Sequence, residues 1–122
     1  MLYAILCYSD EAVVESWPKE KDDAVIAARR RVTDVLATQG TLGPVARLMP
    51  TSAAVTLRAG REPLIIDGPF AETKEQLLGF YVIDCATLEE AIDTARRIKG
   101  DEKEGAFEIR PLRLFQPGTA SA

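Results

Sequence analysis

Residues 67–76 read Asp-Gly-Pro-Phe-Ala-Glu-Thr-Lys-Glu-Gln and crowd titratable groups against a turn-forming dipeptide. Asp67 is a candidate catalytic general base. Lys74 is a candidate partner that stabilises developing negative charge, or shuttles a proton if burial lowers its pKa. Gly68, Pro69, Phe70, Glu72 and Glu75 complete a candidate ligand-binding motif around them. Each residue also has a structural reading. An Asp before Gly68-Pro69 suits the pinning of a turn through backbone N–H groups, and this reading is favoured for Asp67. A Lys between Glu72 and Glu75 suits simple ion pairing, again the favoured reading.

The chain contains no histidine, which removes the usual acid/base of neutral pH and the commonest ligand of zinc, copper and iron. With two cysteines, neither a transition-metal site nor any other cofactor is expected. Proton transfer would fall to carboxylates, Lys, Tyr or Cys. Cys7 and Cys85 lie in apolar runs, at matching ends of strands expected to be parallel neighbours. A redox pair is conceivable, but two buried reduced thiols are the favoured reading. Arg29, Arg30 and Arg31 are consecutive, so on a helix they spread around the axis and read as a solvated face. Tyr8, Trp17 and Tyr81 are candidates to line a pocket, although aromatics at such positions more often just pack. Gly79, inside a strand, admits the close approach of a ligand or of a partner's backbone, or else marks a plain bulge.

Composition sets the frame for these groups. At 122 residues the chain fits one domain, residues 1–115, with a frayed tail at 116–122. A hydrophobic content of 47% with 28% charged residues is that of a folded soluble protein. The net charge of −4 argues against nucleic acid or an anionic membrane as a partner. No apolar run reaches membrane-spanning length, and residues 1–8 lack a basic leader and a cleavage site, so a cytoplasmic location is expected.

The elements that must position the motif follow from periodicity. Residues 2–8 and 78–85 are wholly apolar strands. Residues 53–59 alternate as a half-buried strand, with 64–66 a possible hairpin partner, and residues 107–110 alternate as an edge-like last strand. A helix is expected over 23–39, with Val25, Ala28, Val32, Val35 and Leu36 inward, stopped by Gly40. A second, over 88–99, carries a Thr87/Glu90 capping box and a stripe of Leu88, Ala91, Ile92, Ala95 and Ile98. Residues 41–50, with Gly43-Pro44, read as a loop or an irregular short strand. The order is β-α-β-β-α-β, an α+β ferredoxin-like arrangement. Two helices cover one face of such a sheet. Central strands apolar on both faces therefore call for a second copy, and a homodimer is expected.

The string DGPFAETKEQLLGFYVIDC resembles the signature of the DGPF subgroup of the YciI-like (YCII-related) family. Further likeness lies in Leu48 with residues 54–58, in residues 88–91 and in residues 107–112, so that it spans roughly residues 1–115. The resemblance implies a ferredoxin-like fold forming a dimeric α+β barrel with a small-molecule cleft. It also implies a regulatory or metabolic role, since many family members resemble companions of extracytoplasmic-function sigma factors. A His-Asp pair suited to lyase-type proton abstraction has been proposed for the wider group. It cannot be carried over to a chain without histidine. Two functions are therefore in view: acid/base chemistry by Asp67 and Lys74, or a non-catalytic ligand-binding or regulatory accessory protein. A motif that is purely structural and cements the dimer is a third reading.

Overall fold

Leu2–Ser9 forms the first strand, β1, from a run of residues that can bury side chains on either side of a pleated ribbon. The computed structural model describes residues 1–62 and 64–121. Tyr3, Ile5, Cys7 and Ser9 are buried beneath the helices, while Leu2, Ala4, Leu6 and Tyr8 on the opposite face are half-buried. β5 (Gln76–Asp84) and β6 (Ala106–Pro111) flank β1, both antiparallel to it, with Ile5 opposite Tyr81 on one side and Ile109 on the other. β2 (Leu42–Arg47) closes the far edge, giving the order β2-β5-β1-β6. This mixed α+β layout, with the two apolar strands in the middle, is compatible with a ferredoxin-like arrangement.

The antiparallel register corrects the expected placement of the cysteines. Cys7 lies opposite Gly79, whereas Cys85 follows Asp84 at the other end of β5, opposite Leu2. At ~3.3 Å per residue the two are about 20 Å apart along the strand, too far for a redox pair. Both are free thiols.

The second strand of the sheet is also corrected. It is β2: of the two readings that Gly43-Pro44 leaves open, a loop or an irregular short strand, the structure has the strand. A β-carbon at Gly43 would lie 2.9 Å from the carbonyl oxygen of Val82, so the glycine lets β2 lie against β5. The register shift between Leu42 and Val45 accommodates the missing N–H of Pro44 on an edge strand. The alternating residues expected to be that strand instead form β3 (Val55–Arg58). β3 pairs with β4 (Leu64–Asp67) as a separate two-stranded hairpin.

Helices pack on one side. Asp10 caps a short helix, α1 (Glu11–Glu15), by accepting the Ala12 N–H at 3.0 Å. Trp17-Pro18 breaks the chain, and α2 (Lys19–Thr38) starts directly after Pro18. α3 (Leu88–Lys99) is capped as expected, with the Thr87 hydroxyl accepting the Glu90 N–H at 3.2 Å. The Glu90 carboxylate reaches back to the Ala86 N–H at 2.9 Å. Tyr3, Ile5, Cys7 and Ile83 of the sheet meet Leu36 of α2 and Ala91, Ala95 and Ile98 of α3 to form the core. Truncating a core isoleucine such as Ile5 to Ala costs about 2–5 kcal/mol. The inward stripes differ in detail from expectation: Ala28, Val35 and Leu88 are exposed, and Thr94 is buried. Among the described residues no helix is long and apolar enough to cross a membrane. Residues 112–121 carry no helix or strand, and Ala122 of the expected tail lies outside the described residues.

Candidate functional site

The C-terminal half of α2 closes on the sheet through Leu36. Its N-terminal half leaves a gap over the sheet, and Val25 and Arg29 face into that gap. The gap is a cavity of about 460 Å³. Its floor includes Cys7, Gly79, Tyr81 and Phe107, its roof Val25 and Ile26, and Trp17 stands at the α1–α2 break. Tyr8, Trp17 and Tyr81, the three aromatics named as pocket candidates, all border it. Gly79 is required by a neighbouring strand: a β-carbon there would lie 2.3 Å from the carbonyl oxygen of Ala46. It also leaves the floor without a side chain.

Arg29 is the charged centre of this chamber, which corrects its reading as part of a solvated face. Arg30 and Arg31 are exposed, but Arg29 is half-buried and turned towards the sheet. Its guanidinium carbon lies 5.3 Å from the centroid of the Phe107 ring, a cation–π distance. The buried Nε of Arg29 has no hydrogen-bond partner. Among the described residues Arg29 makes no ion pair, whereas Arg47 and Lys21 nearby both do. Arg47 holds the Asp22 carboxylate through two contacts, at 3.1 and 3.4 Å. Lys21 lies 3.7 Å from Glu102 and 4.5 Å from the centroid of Trp17.

Burial dominates the titration of the floor. It pushes the Cys7 thiol up to about 11, with the Arg29 charge opposing. The Tyr81 phenol is raised for the same reason, again against the pull of Arg29. Both groups keep their protons at neutral pH, so they offer neutral donors and no nucleophilic thiolate.

The motif residues lie elsewhere. Asp67 ends β4 and is exposed, as are Phe70, Glu72, Lys74 and Glu75, while Gly68 and Pro69 are half-buried. None of them borders the cavity. The turn is held by the Gly68 N–H, which donates to the Ala54 carbonyl at 2.7 Å, and by the Thr56 hydroxyl, which donates to the Gly68 carbonyl at 2.8 Å. The Asp67 carboxylate takes no part in those two bonds. Among the described residues Lys74 forms no ion pair with Glu72 or Glu75. Only the end of the segment approaches the site, through Gln76, whose side chain accepts the N–H of Glu11 at the start of α1.

An antiparallel sheet roofed by helices, with a ligand-sized chamber open on one side under one of them, defines a small α+β protein built around a half-open cleft. The chain belongs to the YCII-related family: the model of the YCII-related domain matches residues 1–116. It is similar to an uncharacterized protein, R00369, of Rhizobium meliloti (strain 1021), with 54% identity over 120 residues and 97% of each chain covered.

Proposed function

We propose that this YCII-related protein, of the DGPF type, is a homodimeric small-molecule binder whose ligand occupies the cavity between α2 and the sheet. The observation that carries this reading is the cavity itself. Its volume of about 460 Å³ and its mainly aromatic and aliphatic surface, with charged side chains of both signs among its lining, fit the usual pattern of ligand sites. Binding is favoured over turnover inside the chamber, because burial moves Cys7 and Tyr81 away from neutral pH. A lyase-type reaction run by Asp67 and Lys74 would need the segment of one copy to reach the cavity of another. Ligand sensing beside a sigma factor is the form of this reading in which no turnover occurs.

Support for the homodimer comes from the hairpin. Val55, Leu57 and Ile65 share one of its faces and are 67%, 70% and 69% exposed, with Phe70 at 78% beyond them. A two-stranded hairpin is marginal by itself, and exposed apolar patches of this kind mark interaction surfaces.

The test is a thermal-shift screen against metabolites, run on the natural chain and on Val25→Trp, which fills the chamber. A ligand at a hundred times its dissociation constant adds ~2.7 kcal/mol, so true ligands raise the midpoint clearly. They should do so only in the natural chain. Hits that act equally on Val25→Trp, or a broad library without hits, would overturn the reading.

A further inference from the structure

We propose that the cavity takes a monocarboxylate with a ring-sized apolar body, its carboxylate gripped by the Arg29 guanidinium. The proposal rests on the cavity being the ligand site and adds the chemical class of the ligand.

Three observations carry it. First, Arg29 is the half-buried cation of the chamber, no carboxylate of the described chain neutralises it, and its buried Nε lacks a partner; Arg30, which also forms no ion pair, is exposed to solvent. A half-buried guanidinium without an anion is costly, whereas a carboxylate fits its planar fork through two parallel N–H bonds. Nε is one prong of that fork.

Second, the surrounding charges favour a single negative charge over a dianion. The lining holds three arginines, Arg29, Arg30 and Arg47, against four carboxylates, Asp22, Asp34, Glu102 and Glu104. Arg47 is already held by Asp22. Glu102 is likewise held by Lys21, so the surroundings are close to neutral and Arg29 is left as one half-buried cation without a carboxylate. It matches a single negative charge, whereas a phosphate dianion would keep its second charge uncompensated.

Third, the walls of the chamber around Arg29 are suited to a ring. Trp17, Phe107 and Val25 offer flat and aliphatic surfaces, and the Tyr81 hydroxyl adds a neutral donor beside the guanidinium.

The experiment is an NMR titration of the full-length protein, following the Arg29 Nε–H and Trp17 indole N–H resonances. Benzoate and cyclohexanecarboxylate are compared with benzamide and phenyl phosphate. The expected result is that both carboxylates move both resonances and bind about tenfold or more tighter than benzamide or phenyl phosphate, as a charge-assisted pair requires. Arg29→Gln should abolish that preference, weakening the carboxylates far more than benzamide, and Arg29→Lys, which keeps the charge and loses the fork, should fall between. If benzamide binds as well as benzoate, the cavity remains a ligand site but the anion assignment is overturned. Tighter binding of phenyl phosphate overturns the monocarboxylate. Absence of any shift at millimolar probe overturns the ligand class, and the metabolite screen then decides separately whether the cavity binds anything. The comparison among probes on the natural chain stands even if an Arg29 variant fails to fold.

Discussion

The side-chain carbonyl of Gln76 accepts the backbone N–H of Glu11 at 2.9 Å, joining the first residue of β5 to the first residue of α1. The other end of the same amide donates to the Thr73 carbonyl at 2.6 Å. Glu11 in turn accepts the Thr51 N–H at 3.0 Å, so three distant segments meet at one point. α1 leads into Val14 and Trp17, which border the cavity. The motif segment thus helps to place a wall of the site without entering it.

Replacing Gln76 by Ala should therefore loosen that wall. The expected loss is about 1 kcal/mol, the usual worth of a hydrogen bond. Urea unfolding followed by Trp17 emission would measure it. The folded baseline should also shift to the red as Trp17 gains water. An unaltered midpoint and spectrum would show that α1 is held by other contacts.

Gly79 and Gly60 should respond oppositely to alanine. At Gly79 the new β-carbon meets backbone at 2.3 Å, so β2 must move away from β5, at a cost of about 1–3 kcal/mol or more. At Gly60 the nearest atom is 3.8 Å away, and the change should be near neutral. Amide exchange offers a direct check: β2 should lose protection in Gly79→Ala and keep it in Gly60→Ala.

Alkaline stability should depend on Cys7. Its thiol titrates at 9.0 when unperturbed and at about 11 in the fold. Because the folded value is the higher one, the stabilisation is fully present below pH 9 and is lost as the pH rises through about 11. Two units correspond to roughly 2–3 kcal/mol at most. Guanidinium unfolding across this window should show the decline in the natural chain and in Cys85→Ala. In Cys7→Ala it should begin only above pH 10, where the raised phenol of Tyr81 takes over. An identical slope in both variants would remove Cys7 as its source.

The dimer proposal can be tested at the hairpin. Leu57 and Ile65 lie opposite each other on its exposed face. The pair of changes Leu57→Lys and Ile65→Lys should turn a twofold mass into a single-chain mass in light scattering, with the far-UV circular dichroism preserved. A single-chain mass for the natural protein at micromolar concentration would end the proposal.

Several elements could be read from sequence because one local signal sufficed. α3 joins a helical stripe to a capping box at one end and Gly100 at the other, and its bounds are as expected. β1 and β5 follow from apolar runs too short for buried helices and rich in β-branched and aromatic residues. Gly43-Pro44 left β2 undecided between a loop and a short strand, because its strand role depends on a neighbour that local pattern cannot see. α1 was hidden because Ala12, Val13 and Val14 are consecutive and show no helical spacing. The cavity was the least legible feature, since it arises from a difference in height between two halves of α2. One signal did exist: Val25, Arg29, Val32 and Leu36 recur at helical spacing, which sets one arginine among apolar neighbours. Reading residues 29–31 as a uniform trio of charges concealed it.

The strand that carries Gly79 serves two masters, the chamber above it and the edge strand beside it. Reshaping the chamber from below would unzip the margin of the sheet. Tailoring from above is far less constrained, because Val25, Ile26 and Arg29 project from a single helix and can be exchanged singly. Engineers wishing to retune this protein for another guest should start on that helix.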